Sequence, residues 1–310
     1  MAEYRASPFG LYSMSLFSQI LQFLFSGLTV GSIYGMVALG FTIIYNATAI
    51  INLAQGEFVM LGGLIMFSLT VGAKLPLYVG FPLTILIVMA IGVLFERFAI
   101  HPLRNASLLT LIIITLAAST LFQGIAMFIW GKDPYTLPPF TSGGPVIISG
   151  AMIVPQTFWV LGTAMTIVIL LGLFFEKTIV GKAMSACSFN PMAASLMGIN
   201  VRKMVLLSFV LSAALGAVAG IMITPISLME YHRGPVLAVK GFCAAVLGGL
   251  GIGYGAVIGG FIIGILESFT TALIYSGFKD AVALFILLFI LCFKPSGIFG
   301  SEEVGKIKEF

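Results

Sequence analysis

The chain has 310 residues, 60% of them hydrophobic and 8% charged, a formal net charge of +4 and a mean hydropathy of +1.15. A water-soluble fold of this composition would expose large apolar patches to solvent, whereas a bilayer accepts such surface. The small basic excess lies near the ends of apolar runs, so it speaks of orientation in a membrane and excludes nucleic acid as a partner.

Runs such as "FPLTILIVMAIGVLF" at residues 81–95 are apolar on every side, without the alternation of a membrane β-barrel. The fold class is therefore an all-α polytopic membrane protein, because lipid-facing backbone must satisfy its own hydrogen bonds. Arg5 followed by an apolar run from Leu11 superficially resembles a signal peptide, but no small-residue cleavage site leads into a polar region, and a retained first helix is expected. In chain order the predicted spans are residues 16–45, 50–71, 78–100, 108–130, 158–175, 204–224, 236–269 and 281–293. Residues 16–45 and 236–269 are long and glycine-rich, and each is expected to be a pair of short, broken or re-entrant helices, giving eight to ten crossings in one transmembrane domain over residues 1–310.

Lysine and arginine in short loops set the orientation. Arg97 and Arg104, then Lys177, Lys182, Arg202 and Lys203, then Lys294, Lys306 and Lys308 mark three cytoplasmic segments, the last two being a loop at 177–203 and a tail at 294–310. Residues 130–156, rich in Pro and Gly with almost no net charge, read as an irregular outer loop. "LAQGEFVMLGG" at 53–63 and "LAVKGFCAAVLGG" at 237–249 share a pattern that hints at an internal repeat.

Little here performs covalent chemistry. Cys187, Cys243 and Cys292 have neither zinc nor disulfide spacing and read as small apolar residues. His101 and His232 are isolated at span ends. "GSEEVGK" at 300–306 matches the first positions of a phosphate-binding loop, but Ile307 stands where Ser or Thr would ligate Mg²⁺, and no strand precedes it. No metal site and no cofactor is expected in this chain.

Ionisable residues inside apolar runs are expensive and mark a cavity or a partner. Asn52, Gln55 and Glu57 cluster around Gly56; Arg233 and Lys240 open the second long run, Glu267 lies near its end, and Lys279 and Asp280 precede the last span. Asn52, Gln55, Gly56, Glu57, Lys240, Gly248 and Gly249 are the candidates for a translocation path or gate, with helix capping or a structural ion pair between Glu57 and Lys240 as the alternative.

The cytoplasmic stretch "NPMAASLMG" carries its own start and stop signals. Asn190 is a favoured N-cap, Pro191 suits the first helical position, and Gly198 lies where a helix ends in a left-handed residue. The enclosed turns span roughly 10 Å, too short to be stable alone. Met192 and Leu196 line one face, with Met197 beside them and Ala193 and Ser195 between, so the element offers an apolar knob to a partner's groove; a helix lying on the membrane or folded onto its own bundle is the alternative.

Several long motifs in order, "GLTVGSIYGMVALGFTIIY", "INLAQGEFVMLGG", "ERFAIHPLR", "GKAMSACSFNPMAASLMGINVRK", "GFCAAVLGGLGIGYGAVIGGFIIGILES" and "PSGIFG", resemble the permease subunits of branched-chain amino acid ABC importers, the H-type more than its M-type companion. The resemblance implies a second permease chain, two cytoplasmic ATPase subunits that bind ATP and Mg²⁺, and an extracytoplasmic solute-binding protein. It maps the family's coupling helix onto residues 190–198, where Phe189, Asn190 and Met192 make this one unusually neutral. Similar permeases serve urea, short amides or other amino acids, and the rival from another class is an ATP-independent channel or secondary transporter.

Overall fold

A computed structural model describes residues 16–103 and 106–300. The segment with Arg5 and Leu11, Arg104, and the end of the chain with Lys306, Lys308 and most of the phosphate-loop near match lie outside the described residues. Among the described residues eleven α-helices run in order: α1 Leu16–Thr48, α2 Gln55–Phe67, α3 Leu77–Phe95, α4 Leu108–Trp130, α5 Pro155–Lys177, α6 Ile179–Phe189, α7 Pro191–Leu196, α8 Val201–Ile223, α9 Arg233–Gly248, α10 Gly253–Leu273 and α11 Lys279–Phe293. Short π-helical turns extend α2 over Ser68–Gly72 and α3 over Glu96–Ile100. Seven helices or helix extensions among the described residues are long and apolar enough to cross a membrane, and α9 and α11, of 16 and 15 residues, complete the bundle as shorter pieces. The chain is an all-α, multi-pass membrane protein.

Local chemistry sets several boundaries. Ser107, Thr178 and Asn200 accept a hydrogen bond from a first-turn N–H of α4, α6 and α8, and Pro155 opens α5 at a position where no N–H is needed. The helices then sort by burial. The most apolar stretches of α1 and α8 are 89% and 72% buried within the chain, that of α5 only 11%, so α1 and α8 form the inner layer and α5 turns most of its surface outward.

Residues 16–45 do not form a broken pair. They belong to one continuous helix of 33 residues, about 50 Å at 1.5 Å per residue. The expectation took the glycines as points of weakness, but Gly27, Gly31 and Gly35 recur every four residues on one face and meet α10. A Cβ on Gly31 would stand 2.8 Å from Gly260 O, and one on Gly264 would stand 2.4 Å from Gly31 Cα. These glycines serve close helix contact and leave the hydrogen-bond ladder intact. Residues 236–269 are broken as expected: α9 ends at Gly248, and Gly249 and Gly251 adopt φ of +100° and +96° before α10 begins.

The second interruption lies between α1 and α2, where residues 49–54 return from the end of α1 toward Ser212 in the middle of α8. The outer loop carries more order than its composition suggested. Val146–Ile148 (β1) and Ala151–Ile153 (β2) form an antiparallel hairpin, and Tyr135 pairs with Met229 by backbone hydrogen bonds in both directions. The two segments of the repeat hint pack together on α2 and α9, where a Cβ on Gly56 would stand 2.0 Å from Gly234 O. Gly62 and Gly63 fall inside α2, whereas Gly248 and Gly249 close α9.

Candidate functional site

On the side of the bundle that carries Lys177, Lys182, Arg202 and Lys203, the chain leaves α5, forms α6 and α7, and re-enters as α8. The α6 helix was not anticipated. Its signal was Thr178, whose hydroxyl accepts from Gly181 N at 2.9 Å. The Asn190 side chain accepts from Ala193 N at 3.0 Å, Pro191 occupies the first turn, and Gly198 has φ +83°. Ile199 N donates to Ala194 O and Gly198 N to Ser195 O, the paired bonds of a Schellman ending.

Both caps therefore hold a helix of six residues that propagation alone would not sustain. Ala194 is buried against the rest of the chain, while Met192, Leu196 and Met197 are 76%, 84% and 83% exposed, and Phe189, which ends α6 just before α7, is exposed as well. The Ser195 hydroxyl turns back to Met192 O and Ala193 stays at the surface, so no polar group interrupts the apolar tip.

Two separate clusters of buried polar and ionisable residues involve α9, apart from the Glu96–His101 pair at the end of α3. Glu57, in the first turn of α2, is wholly buried. Its Oε1 accepts from Ser119 Oγ at 2.6 Å and Gln123 Nε2 at 3.1 Å on α4, and its Oε2 lies against Gly234, in the first turn of α9. The first turns of α2 and α9 thus meet at one carboxylate, whose Oε2 has no hydrogen-bond partner among the described residues. Lys240 stands in the other cluster. Its Nζ meets Glu267 Oε1 on α10 and Asp280 Oδ1 on α11 and lies 5.4 Å from the centre of the Tyr34 ring on α1, whose hydroxyl donates to Glu267 Oε2 at 2.9 Å.

Glu57 and Lys240 consequently make no ion pair with each other. The partners of Lys240 lie 27 and 40 positions away, on two other helices, and no periodicity connects them. The usable signal was the scarcity of charge: Lys240, Glu267 and Asp280 are among the few ionisable residues in these runs.

Gln55 links three helices. Its Nε2 donates to Ser212 O, its Oε1 accepts from Ser212 Oγ, and the same hydroxyl reaches Gly40 O on α1. Asn52 is fully buried and accepts from Ala54 N in a local turn. Asn52, Gln55, Gly56 and Glu57 therefore stand in closed packing, while Gly248 packs against Gly255 of α10 and Gly249 against Ser296 and Gly300, beside the bond from Ile298 N to Leu247 O.

A family model described as branched-chain amino acid transport system / permease component matches residues 23–291. The high-affinity branched-chain amino acid transport system permease protein LivH of Escherichia coli K12 is 32% identical over 306 residues, covering 94% of this chain and 99% of that one. BraD of Pseudomonas aeruginosa, described in the same words, is 33% identical over 300 residues, with 93% and 98% covered. Among solved structures, PsaBC from Streptococcus pneumoniae in complex with Fab superposes with a TM-score of 0.50 at 15% identity over 92% of this chain and 98% of that one, a likeness of fold alone. With the match running nearly end to end, the chain belongs to the permease components of branched-chain amino acid transport systems.

Proposed function

We propose that the chain is one of two transmembrane permease subunits of an ATP-binding cassette importer that carries branched-chain or related amino acids across the cytoplasmic membrane. In this reading an extracytoplasmic binding protein delivers the solute, and two cytoplasmic ATPase subunits, which hold the ATP and Mg²⁺, supply the work. The observation that carries it is α7, a doubly capped helix whose Met192, Leu196 and Met197 face outward on the basic side of the bundle. Such a face fits a groove on another protein, and rigid caps let a push on the tip reach α6 and α8.

Asn52, Gln55, Gly56 and Glu57, with Lys240, Gly248 and Gly249, mark the interrupted segments that rearrange as the path alternates. Asp280 supports this placement. The 15 residues of α11 reach only about 22 Å, short of the ~30 Å hydrocarbon layer, yet the Asp280 side chain is 61% exposed. A carboxylate there is costly in lipid, so this face turns to the path or to the second permease chain.

Reconstitution in liposomes tests the reading. Uptake of labelled leucine is expected only when the chain, its companion permease, both ATPases, ATP and the binding protein are present together. Uptake by this chain alone would overturn the ATP-driven mechanism in favour of a channel or secondary transporter.

A further inference from the structure

At the cytoplasmic end of the bundle, α6 is separated from α1, α5 and the start of α10 by a cavity of about 370 Å³, within the range of small-ligand sites. Its wall is mostly aliphatic and aromatic, with Leu39 and Ile43 from α1 and Val168, Leu171 and Phe175 from α5. Asn46, whose amide donates to Gly251 O, and Ser185 and Ser188 are also on the lining, but three other polar features bear on a ligand. Thr42 is 2% exposed and lines the cavity, and its Oγ1 has no hydrogen-bond partner. On the same helix the hydroxyls of Thr29, Ser32 and Thr48 all donate to the carbonyl four residues earlier, at 2.7, 2.8 and 2.7 Å. Thr42 has left that default, and a buried hydroxyl without an acceptor is a standing cost that a ligand oxygen would relieve.

The second feature is the start of α10. Gly253 and Tyr254 line the cavity, the N-cap Ile252 supplies no side-chain acceptor, and no acidic residue stands in the first turn. The first N–H groups of this 21-residue helix have no carbonyl one turn behind them, and together with the helix dipole they favour an anion. The third is Glu176, the one charged residue on the lining, which is exposed at the rim and makes no ion pair among the described residues. An anion subsite, a cation subsite and an apolar wall in one small cavity match a zwitterion with an aliphatic side chain.

We propose that this cavity is a second, cytoplasm-facing site for a zwitterionic aliphatic amino acid of leucine's size. The carboxylate accepts from Thr42 and the first turn of α10, the ammonium meets Glu176, and the side chain lies against Leu39, Ile43 and Phe175. Met184, Ser185 and Ser188 of α6 form the opposite wall, and α6 leads directly into α7. Occupancy therefore holds α6 against the bundle and opposes movement of the coupling segment, so accumulated product slows its own import; by linkage, displacement of α6 weakens binding in equal measure. The ligand class rests on the proposed function, but the site is tested without it.

The test uses the full transporter, with both permeases and both ATPases, in lipid nanodiscs without binding protein. Labelled L-leucine is expected to bind saturably, with isoamylamine and 4-methylpentanoate, which keep leucine's side chain and half of its head group each, at least tenfold weaker. Thr42→Val and Glu176→Gln are expected to weaken leucine binding at least tenfold, while Thr42→Ser, which keeps the hydroxyl, binds within twofold of the parent. In liposomes, millimolar leucine on the ATPase side is expected to slow import severalfold for the parent and for Thr42→Ser, but not for Thr42→Val or Glu176→Gln, with all four alike when that side starts empty. Absence of leucine binding, binding indifferent to Thr42→Val and Glu176→Gln, or a lipid acyl chain found filling the cavity in the presence of leucine would overturn the proposal. Failure of import in the parent with binding intact would instead count against the importer reading.

Discussion

Lys240 Nζ stands 2.7 Å from Asp280 Oδ1 and 2.9 Å from Glu267 Oε1, so one buried ammonium is shared by two carboxylates from two other helices. The carboxylates are unequal, since the Glu267 side chain is 9% exposed and that of Asp280 61%. Removing one member of a buried pair strands the other and costs about 3–5 kcal/mol, whereas an exposed pair contributes about 0–1 kcal/mol. Lys240→Met is therefore expected to cause the largest fall in melting temperature of the detergent-purified complex, and Asp280→Asn the smallest. Lys240→Met combined with Glu267→Leu is expected to recover part of the loss. Equal destabilisation by Lys240→Met and Asp280→Asn would show that the shared-ammonium geometry does not hold in the assembly.

The exposed tip and the caps of α7 make separable contributions. Met192→Asp or Leu196→Asp puts a charge on the apolar face without touching Asn190 or Gly198, and is expected to reduce binding-protein-stimulated ATP hydrolysis and uptake at least tenfold with membrane levels unchanged. Asn190→Ala removes the acceptor for Ala193 N at a cost of about 1 kcal/mol, and is expected to give a partial loss, while Asn190→Ser retains most activity. Normal coupling in the two Asp variants would remove α7 from the work path.

The sequence made the bundle legible because lipid imposes a simple rule on it: apolar runs of sufficient length become helices. Residues 108–130 coincide with α4, and the ends of α7 were readable from Asn190, Pro191 and Gly198 because capping chemistry is local. Glycine was the ambiguous residue. At Gly249 and Gly251 it supplies positive φ and ends a helix, while at Gly31 and Gly35 it supplies close approach inside an unbroken one. The residue type alone does not distinguish these uses, although the four-residue spacing of Gly27, Gly31 and Gly35 favoured a helical face. Ser119 and Gln123 around Glu57, and Tyr34, Glu267 and Asp280 around Lys240, are long-range partners that local patterns do not encode.

The two uses of glycine give a graded test. At Gly264 a Cβ would stand 2.4 Å from Gly31 N and Cα, so the offending atoms are backbone and cannot rotate away. Gly264→Val is expected to separate α1 from α10 and abolish accumulation of folded protein in the membrane. Gly124 and Gly162 have nothing within 4 Å of their would-be Cβ atoms. Gly124→Ala and Gly162→Ala are expected to leave accumulation unchanged or raise the melting temperature, since alanine is favoured over glycine in a helix interior by about 1 kcal/mol. Immunoblots of membranes, followed by thermal scans of the purified complex, decide it.

Cys187 offers a reporter of α6 movement that needs no new residue. It sits on α6, 1% exposed, and burial pushes its thiol above the ordinary range for cysteine. The thiolate is the nucleophile, so both factors slow alkylation. Because the neutral thiol is the favoured form in the resting protein, labelling by a maleimide is expected to be slow near neutral pH and to rise as pH climbs through and beyond the usual thiol range. A push on α7 that displaces α6 would open the site to water and remove the burial that raises the thiol. Labelling at pH 7.5 is therefore expected to accelerate severalfold during ATP turnover with binding protein present, and to return to the resting rate in Leu196→Asp. Cys292 and Cys243 should first be replaced by serine or alanine so that mass spectrometry reads one site. A rate identical at rest and during turnover, with transport intact, would show that α6 stays seated and that the work enters the bundle elsewhere.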